Sequence, residues 1–309
     1  MGAGRFELIT LGTGAAIPAR GRFPTAQVLN VNEALYLIDC GEGTQERIRS
    51  AGLSFQRIGH IFIGHLHGDH YLGLVGLIST MHLMGRRTTL HVYGPKELKE
   101  VLDLQLRVSG TYLRYPLHFH ALEHKSGVEV HRDRHVSVTT LALRHRIPCT
   151  GFVFREVPGP RRLRKEKLPL IPHFERTAVA NGEDLALPDG TRYANAELTL
   201  DPMPARSYAY CSDTGHAPEL VPFIAGVDLL YHEATFTKAM QSRARETMHS
   251  TAEQAATIAR DAQVGRLLLG HFSSRYRSAE VLLAEALPVF PRTELSYEGG
   301  RFPVVVDKE

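Results

Sequence analysis

The sequence predicts an α/β fold in which layers of β-sheet are covered by helices. Short apolar runs of strand length alternate along the 309 residues with segments whose apolar positions recur at the helical period. Apolar residues make up 43% of the chain and charged residues 22%, which is typical of a globular protein. This composition excludes a disordered chain, a collagen and a coiled coil, and strands mixed with helices throughout favour layered sheets.

The strands are predicted from eleven short apolar runs bounded by turn-forming residues. In chain order they cover residues 6–11, 27–31, 34–38, 60–63, 90–93, 136–143, 151–154, 207–211, 228–231, 266–269 and 304–306. Six segments with apolar residues at helical spacing are interpreted as helices: 44–50, 72–84, 95–106, 217–225, 251–262 and 278–286. The fifth has the clearest beginning, because Ser250 and Glu253 form the pattern of a capping box.

One segment, residues 155–205, departs from this alternation. It holds seven of the 17 prolines and shows little periodicity. Residues 155–176 carry a net charge of +4 in a chain whose total is only +3, so the rest of the chain is close to neutral. A charge run alone predicts a solvated loop. It indicates a binding surface only if the site nearby acts on a polyanion.

The compartment and partners are only weakly constrained by the sequence. The three cysteines (Cys40, Cys149 and Cys211) are widely spaced in apolar surroundings, as expected of reduced thiols in a cytoplasmic protein. The first eleven residues lack the basic and apolar regions of a signal peptide. No apolar run reaches the roughly 18 residues that a membrane-spanning helix needs. We therefore expect no membrane association, and no pattern points to a protein partner.

A histidine-rich segment predicts a metal centre. The apolar run 61–63 is followed by Gly64 and then by His-Leu-His-Gly-Asp-His. His65 and His67 can converge on one ion, while Asp69 and His70 lie on the following turn and can face a second ion. Imidazole and carboxylate together suit zinc or a similar divalent ion. Three histidines and an aspartate within six positions are far harder to explain by packing than a lone histidine.

Further ligands follow other predicted strands, at the positions where side chains from one sheet meet in a crevice. These are His145, Asp213 and His271. The simplest division assigns His65, His67 and His145 to one ion and Asp69, His70 and His271 to the other. Asp213 then bridges the two. A pair of ions about 3.5–4 Å apart activates a hydroxide and stabilises both oxygens of a phosphoryl displacement.

The motifs of this chain resemble those of the ribonuclease Z family, tRNA 3′-processing endonucleases of the metallo-β-lactamase superfamily. The shared motifs are LGTG at 11–14, DCGEGTQ at 39–45, GDHYLGL at 68–74, SDT at 212–214, HEATF at 232–236, HSTA at 249–252 and HFSSRY at 271–276. They keep the family's order over most of the chain. The resemblance implies a single domain, residues 1–309, folded as a four-layer αββα sandwich.

The resemblance also implies an activity. Two Zn²⁺ ions per subunit, a homodimer and precursor tRNA as substrate are expected, with a metal-activated hydroxide attacking the scissile phosphate. Cleavage leaves a 3′-hydroxyl on the tRNA and a 5′-phosphate on the trailer. Residues 155–205 become an inserted flexible arm, or exosite, that holds the tRNA. Its candidate contacts are Arg161, Arg162, Arg164, Lys165 and Lys167.

Two residues are expected to act in the chemistry. Asp69 is the proton acceptor implied by the resemblance, or mainly orients the nucleophile. His249 precedes the capped helix, whose unpaired N–H groups suit a phosphate oxygen, and either binds the scissile phosphate or protonates the leaving 3′-oxygen. Asp39, His232 and Glu233 are expected to support the ligands, and Glu233 to pair with His249.

The other histidines are expected to be surface or packing residues, because they have no convergent partners in sequence. They are His60, His82, His91, His118, His120, His124, His131, His135, His173 and His216. Two alternatives for function stay open. One is another hydrolase of the superfamily: a small-molecule phosphodiesterase, a glyoxalase II or a β-lactamase. The other is a metal-stabilised RNA-binding module without catalysis.

Overall fold

The computed structural model describes residues 4–306 and confirms the layered α/β architecture. The strands are β1 Phe6–Gly12, β2 Ala26–Val31, β3 Ala34–Ile38, β4 Ile58–Phe62, β5 Leu90–Gly94, β6 Leu117–Ala121, β7 Glu129–Arg132, β8 Val136–Leu143, β9 Cys149–Glu156, β10 Arg162–Leu163, β11 Leu185–Ala186, β12 Arg192–Tyr193, β13 Thr199–Leu200, β14 Ser207–Cys211, β15 Leu229–Glu233, β16 Arg266–Gly270, β17 Thr293–Leu295 and β18 Arg301–Pro303. The helices are α1 Thr44–Ser50, α2 Gly68–Tyr71, α3 Leu74–Leu83, α4 Lys96–Val108, α5 Arg176–Ala180, α6 Asn195–Leu198, α7 Val221–Ile224, α8 Gln241–Thr247, α9 Ala252–Asp261 and α10 Glu280–Ala286.

Two seven-stranded sheets form the body, residues 4–155 and 206–306. The first sheet has the order β18-β1-β2-β3-β4-β5-β6 and the second β17-β16-β15-β14-β9-β8-β7. In the first, β3, β4, β5 and β6 run parallel, and in the second β14, β15, β16 and β17 do. The carboxyl ends of parallel strands lie along one edge of each sheet, so loops that follow them are gathered there.

Three apolar layers hold the body together. An aromatic-rich layer that includes Phe62, Phe152 and Tyr208 fills the space between the sheets. A second layer packs the outer face of the first sheet against α1, α3 and α4, and a third packs the outer face of the second sheet against α7, α9 and α10. These layers are the four-layer αββα sandwich that the sequence predicts.

The structure corrects several predicted boundaries. Residues 304–306 are not a strand, because the last strand that pairs with β1 is Arg301–Pro303. The capping box lies one residue further on than predicted: Thr251 Oγ1 accepts from the N–H of Gln254, whose side chain accepts from the N–H of Thr251. Strands β6, β7 and β17 and helix α8 were not predicted. β6 and β7 expose polar side chains, so they lack an apolar run.

Residues 156–205 form a compact unit of their own, with short strand pairs β10–β13 and β11–β12. Its small core consists of Ile171, Val179, Leu185 and Leu198. The unit carries seven Lys or Arg and eight Asp or Glu, because five acidic residues follow position 180. The basic run is therefore confined to the first half of the unit. Within residues 4–306, no helix is long and apolar enough to cross a membrane.

Candidate metal centre

The predicted ligands converge at the carboxyl ends of the strands. His65 follows β4, His145 follows β8, Asp213 follows β14 and His271 follows β16. All four side chains are at most 3% exposed. Gly64 brings the chain into this position, because a Cβ there would lie only 2.9 Å from the carbonyl oxygen of Thr150.

The first group of donor atoms contains three imidazoles. Nδ1 of His67 lies 3.0 Å from Nε2 of His65 and 3.1 Å from Nε2 of His145. Oδ2 of Asp213 is 3.7 Å from both of these Nε2 atoms. The four atoms lie within 4.8 Å of one another, which is the spacing of ligands around one ion.

The second group uses the other oxygen of the same aspartate. Oδ1 of Asp213 lies 3.3 Å from Nε2 of His70 and 2.9 Å from Nε2 of His271. Oδ2 of Asp69 is 3.6 Å from both of these nitrogens. Asp213 thus presents one oxygen to each group, as the sequence-based division into two ions requires.

The residues fit a pair of divalent metal ions. Nε2 of His70 and Nε2 of His271 are buried, and although Oδ1 of Asp213 lies 3.3 and 2.9 Å away, neither nitrogen has a partner in good hydrogen-bond geometry among the described residues. A buried polar atom without a partner is costly, and coordination of a cation removes that cost. Imidazole with carboxylate is also the donor set that zinc prefers when no thiolate takes part.

Outer contacts fix the orientation of the ligands. Oδ2 of Asp39 lies 2.7 Å from Nδ1 of His70, and Oδ1 accepts from the N–H of Gly64. On the other side, Oγ1 of Thr235 lies 2.9 Å from Nδ1 of His271. The sequence predicted a supporting role for Asp39 but not for Thr235, although Thr235 lies within the HEATF motif. Such partners set the tautomer and orientation of a ligand imidazole.

His249 and Glu233 form a pair beside the second group. Oε1 of Glu233 lies 2.8 Å from Nδ1 of His249, and the ring of His249 stacks on that of His271 with centroids 5.4 Å apart. Burial lowers the pKa of His249, but the Glu233 carboxylate outweighs it, so the net shift is upward. Ser250, predicted as a helix cap, instead donates its N–H to Oε2 of Glu233.

His232 is not brought to the centre. Along β15 the side chains alternate, so Leu230 and His232 face the helix-covered side while Tyr231 and Glu233 face the other. Nδ1 of His232 lies 2.8 Å from the carbonyl oxygen of Glu233, and Nε2 is buried without a described partner. Because His232 precedes Glu233 in the motif, both were predicted to support the ligands. Neighbouring side chains in a strand point to opposite faces, so His232 does not lie on the same face as Glu233.

Unusual backbone geometry marks the same loops. Asp39, Asp213 and His271 each have a positive φ, of 55°, 38° and 56°. This left-handed region is uncommon for residues other than glycine and is found mainly where packing holds the chain in a functional arrangement. All three residues directly follow a strand or lie two residues beyond it.

The imidazoles fall into two electrostatic classes. Burial lowers the pKa of His65 to about 2, and it also lowers the pKa values of His67 and His145. These rings are neutral, which is the form that coordinates a metal. Burial also opposes charge on His271, but Asp213 prevails and raises its pKa to about 10. Metal binding at the second group therefore displaces protons.

The centre opens into a cavity of about 460 Å³. His67, Asp69 and His249 line it, together with residues to which the sequence assigned no individual role. Among these are Arg146, Arg243, Arg275, Ser274 and Phe236. Three arginines in the lining of one cavity suit a substrate with several phosphates. Arg275 lies within the HFSSRY motif, whereas Arg146 and Arg243 lie outside every quoted motif, and only the fold brings the three to one cavity.

Comparisons with known proteins agree with this geometry. Residues 6–156 match the family described as anti-Pycsar protein Apyc1, and residues 173–272 match the beta-lactamase superfamily domain. Ribonuclease Z of Bacteroides thetaiotaomicron is 48% identical over 296 residues, covering 95% of this chain and 94% of that protein. Ribonuclease Z of Cytophaga hutchinsonii is 44% identical and covers 97% and 96%.

A solved structure is similar over nearly the same span. The crystal structure of the short form of human tRNase Z has a TM-score of 0.71 and 27% identity, and the match covers 97% of this chain and 100% of that chain. Identity above 40% along nearly the whole chain, with a shared fold, shows common descent. The chain belongs to the ribonuclease Z family of endoribonucleases, within the metallo-β-lactamase superfamily.

Proposed function

We propose that this chain is a zinc-dependent endoribonuclease that removes the 3′ trailer from precursor tRNA, leaving a 3′-hydroxyl on the tRNA and a 5′-phosphate on the trailer. The observation that carries this proposal is the placement of Asp213, whose two oxygens face two separate donor groups. Such a centre suits phosphodiester hydrolysis. The ribonuclease Z relatives and the human tRNase Z structure support tRNA as the substrate.

The ligands hold two ions in this proposal. His65, His67 and His145 bind one, Asp69, His70 and His271 bind the other, and Asp213 bridges them. When bound, a pair of Zn²⁺ ions lowers the pKa of a coordinated water and offsets the negative charge of a phosphoryl group. Asp69 orients the attacking water and accepts its proton. Its Oδ2 is held in place by the N–H of Ala16, at 2.8 Å.

His249 acts as the general acid for the leaving 3′-oxygen. Glu233 engages Nδ1 and favours the protonated ring, which lines the cavity. No described residue hydrogen-bonds Nε2, so this nitrogen is left for the substrate. Arg146, Arg243 and Arg275 line the same cavity and are proposed to bind the phosphates on either side of the scissile bond, Arg243 after it leaves its exposed ion pair with Glu246.

The inserted unit 156–205 is proposed as the tRNA-binding arm of a single metallo-β-lactamase domain, residues 1–309. Its contacts to phosphates come from Arg161, Arg162, Arg164, Lys165 and Lys167. We further propose a homodimer in the cytoplasm. The buried free thiols of Cys40, Cys149 and Cys211 support a reducing compartment. Sedimentation at micromolar concentration tests the dimer.

A substrate panel tests the proposed function. The zinc-loaded protein is incubated with a 3′-extended precursor tRNA, a chromogenic phosphodiester, a lactam and a thioester, and any RNA cut is mapped to the nucleotide. A single cut at the 3′ end of the tRNA body, with a phosphate on the trailer, supports the proposal. Cleavage of the small diester alone would favour a phosphodiesterase. RNA binding without any hydrolysis would favour a non-catalytic module.

A further inference from the structure

A second group of histidines lies away from the catalytic centre. In the first sheet, Tyr36 pairs with His60, His60 with His91 and His91 with His118, so these side chains share one row and one face. From the sequence alone, these histidines are expected to be surface or packing residues without convergent partners. Instead, four neighbouring strands bring them together. The ring of His60 stacks between those of Tyr36 and His91, with centroids 5.5 and 5.1 Å away.

The second sheet faces this row with a histidine and an aspartate. The ring centroid of His131, on β7, lies 4.2 Å from that of His60. Nε2 of His131 is 3.1 Å from Oδ2 of Asp133, which follows β7 directly. His60, His131 and Asp133 each offer a donor atom, and the three atoms lie within 4.8 Å of one another. Donors bound to one tetrahedral zinc are about 3.3 Å apart, which is close to the 3.1 Å between His131 and Asp133.

The donor atoms are oriented by further contacts. The hydroxyl of Tyr93 lies 3.1 Å from Nδ1 of His131, which leaves Nε2 directed toward Asp133. The hydroxyl of Tyr36 donates to Oδ2 of Asp133 at 2.6 Å. Oδ1 of Asp133 is separately engaged, since it accepts from the N–H groups of His135 and Val136. Outer partners of this kind are characteristic of metal ligands and fix their geometry before an ion arrives.

The electrostatics of the group favour a cation. Burial and neighbouring imidazoles lower the pKa of His60 to about 3, so this ring is neutral and its lone pair is available. Burial opposes charge on Asp133, but hydrogen bonds from His131, Tyr36 and two backbone N–H groups hold the pKa of its carboxyl below the usual value. A neutral His60 ring and an ionised Asp133 carboxylate both suit a divalent ion.

We propose that His60, His131 and Asp133 bind a divalent transition-metal ion such as Zn²⁺, separate from the catalytic centre. Two imidazoles and a carboxylate form the protein part of a tetrahedral site, and water completes it. The ligands come from β4 in the first sheet and from β7 and the residue after it in the second. The ion therefore links the interior strand β4 of the first sheet to the edge strand β7 of the second. Its role is structural.

The test counts metal ions in a tag-free protein. The metal-free protein is titrated with Co²⁺, and bound metal is measured after dialysis together with the cobalt absorption spectrum. The unsubstituted protein is expected to bind one equivalent more than His60→Gln or Asp133→Asn. The asparagine keeps an acceptor for the backbone N–H groups, so the turn after β7 is preserved. His118→Gln is the matched control, because His118 lies in the same row but outside the donor group, and it is expected to retain every equivalent.

Two further measurements are made, and the first needs no substitution. Bound Co²⁺ is paramagnetic, so it broadens the NMR signals of the imidazole protons of His60 and His131. Zinc at this site is also expected to raise the melting temperature of the unsubstituted protein more than that of His60→Gln, while both zinc-loaded proteins cleave RNA equally. Equal cobalt content and identical spectra in the unsubstituted and His60→Gln proteins, with sharp His131 signals, would overturn the proposal and leave the cluster as packing.

Discussion

The candidate metal centre and the inserted unit 156–205 differ in how firmly their side chains are held. In the centre, a donor such as His271 is held on one side by Thr235, lies beside Asp213 on the other, and is almost fully buried. In the insert, a core of four apolar side chains supports basic residues that are mostly half-exposed or exposed. The comparison teaches that coordination chemistry demands fixed atoms, whereas attraction to a polyanion demands only charge in roughly the right place.

The largest loss of activity is expected from a substitution in the metal centre. Asp213→Ala removes the carboxylate that both donor groups share, so we expect loss of bound metal together with loss of cleavage of tRNA and of a small phosphodiester. Metal analysis and both assays on one preparation measure this. A variant that kept two ions and near-normal turnover would show that Asp213 is not the bridge.

The second-largest effect is expected from a substitution that lowers turnover at the metal centre without removing metal. His249→Ala is expected to lower turnover by about 10²–10⁴, the usual contribution of a general acid, while metal content stays intact. His232→Gln is the matched control, since its ring lies on the opposite face of β15 and we expect little change in turnover. Loss of metal in His249→Ala would instead make His249 a ligand or a structural residue.

Deletion of the insert tests whether unit 156–205 contributes to tRNA binding but not to the chemical step. Arg155 and Ser207 face each other in the antiparallel pair of β9 and β14, so residues 158–202 can be replaced by a short Gly-Ser linker without straining the sheet. The loss of the phosphate contacts proposed for the insert is expected to weaken tRNA binding by about 10²–10³ at physiological salt. Hydrolysis of a small phosphodiester is expected to persist, because every ligand remains.

Two results of that deletion would change the interpretation. Unchanged tRNA cleavage with an unchanged dependence of binding on salt would leave the insert as a solvated loop. Loss of both activities, with fold and metal content preserved, would assign the insert to the catalytic cavity itself. A comparison of the two substrates on one variant distinguishes these outcomes.

The metal ligands could be predicted from the sequence because each follows a strand that is visible as an apolar run. His65, His145, Asp213 and His271 need only the rule that the carboxyl ends of strands meet along one edge. Counting ligands also predicted that Asp213 lies between the two donor groups, and its role as a bridge between ions stays a prediction. The structure then supplied what counting does not give, namely which oxygen of Asp213 faces which group.

Other features depend on tertiary contacts that no local pattern records. Thr235 supports His271 across 36 positions of sequence, and its hydroxyl has no signature of its own. His60 and His131 meet only because the two sheets face each other, and β7 has no apolar run that would have placed His131 on a strand. His232 shows the opposite case. It was predicted to support the ligands because it precedes Glu233 in the motif, but the alternation of side chains along β15 places its ring on the opposite face.

The smallest expected effect concerns individual charges of the insert. Arg161 forms an ion pair with Asp201 at 2.9 Å, whereas no described residue forms an ion pair with Lys165. A lysine whose charge is uncompensated releases counterions when it meets a phosphate, and each such contact contributes about 0.7–0.9 to the slope of log K against log salt. Lys165→Ala is therefore expected to reduce the slope for tRNA binding by about 0.8.

Arg161→Ala removes the same formal charge from the same unit and is the matched variant. Because Asp201 already compensates the guanidinium, its loss leaves an acidic group behind but releases few counterions, so we expect a much smaller change in slope. Because Nε of Arg161 also donates to the buried Thr199, the melting temperature of Arg161→Ala is measured beside the slopes, and the two slopes are compared only below the unfolding transition. Filter binding at four salt concentrations resolves the two slopes. Equal changes would mean that the ion pair opens when tRNA binds, and the internal pairing of the insert would then be a property of the free protein only.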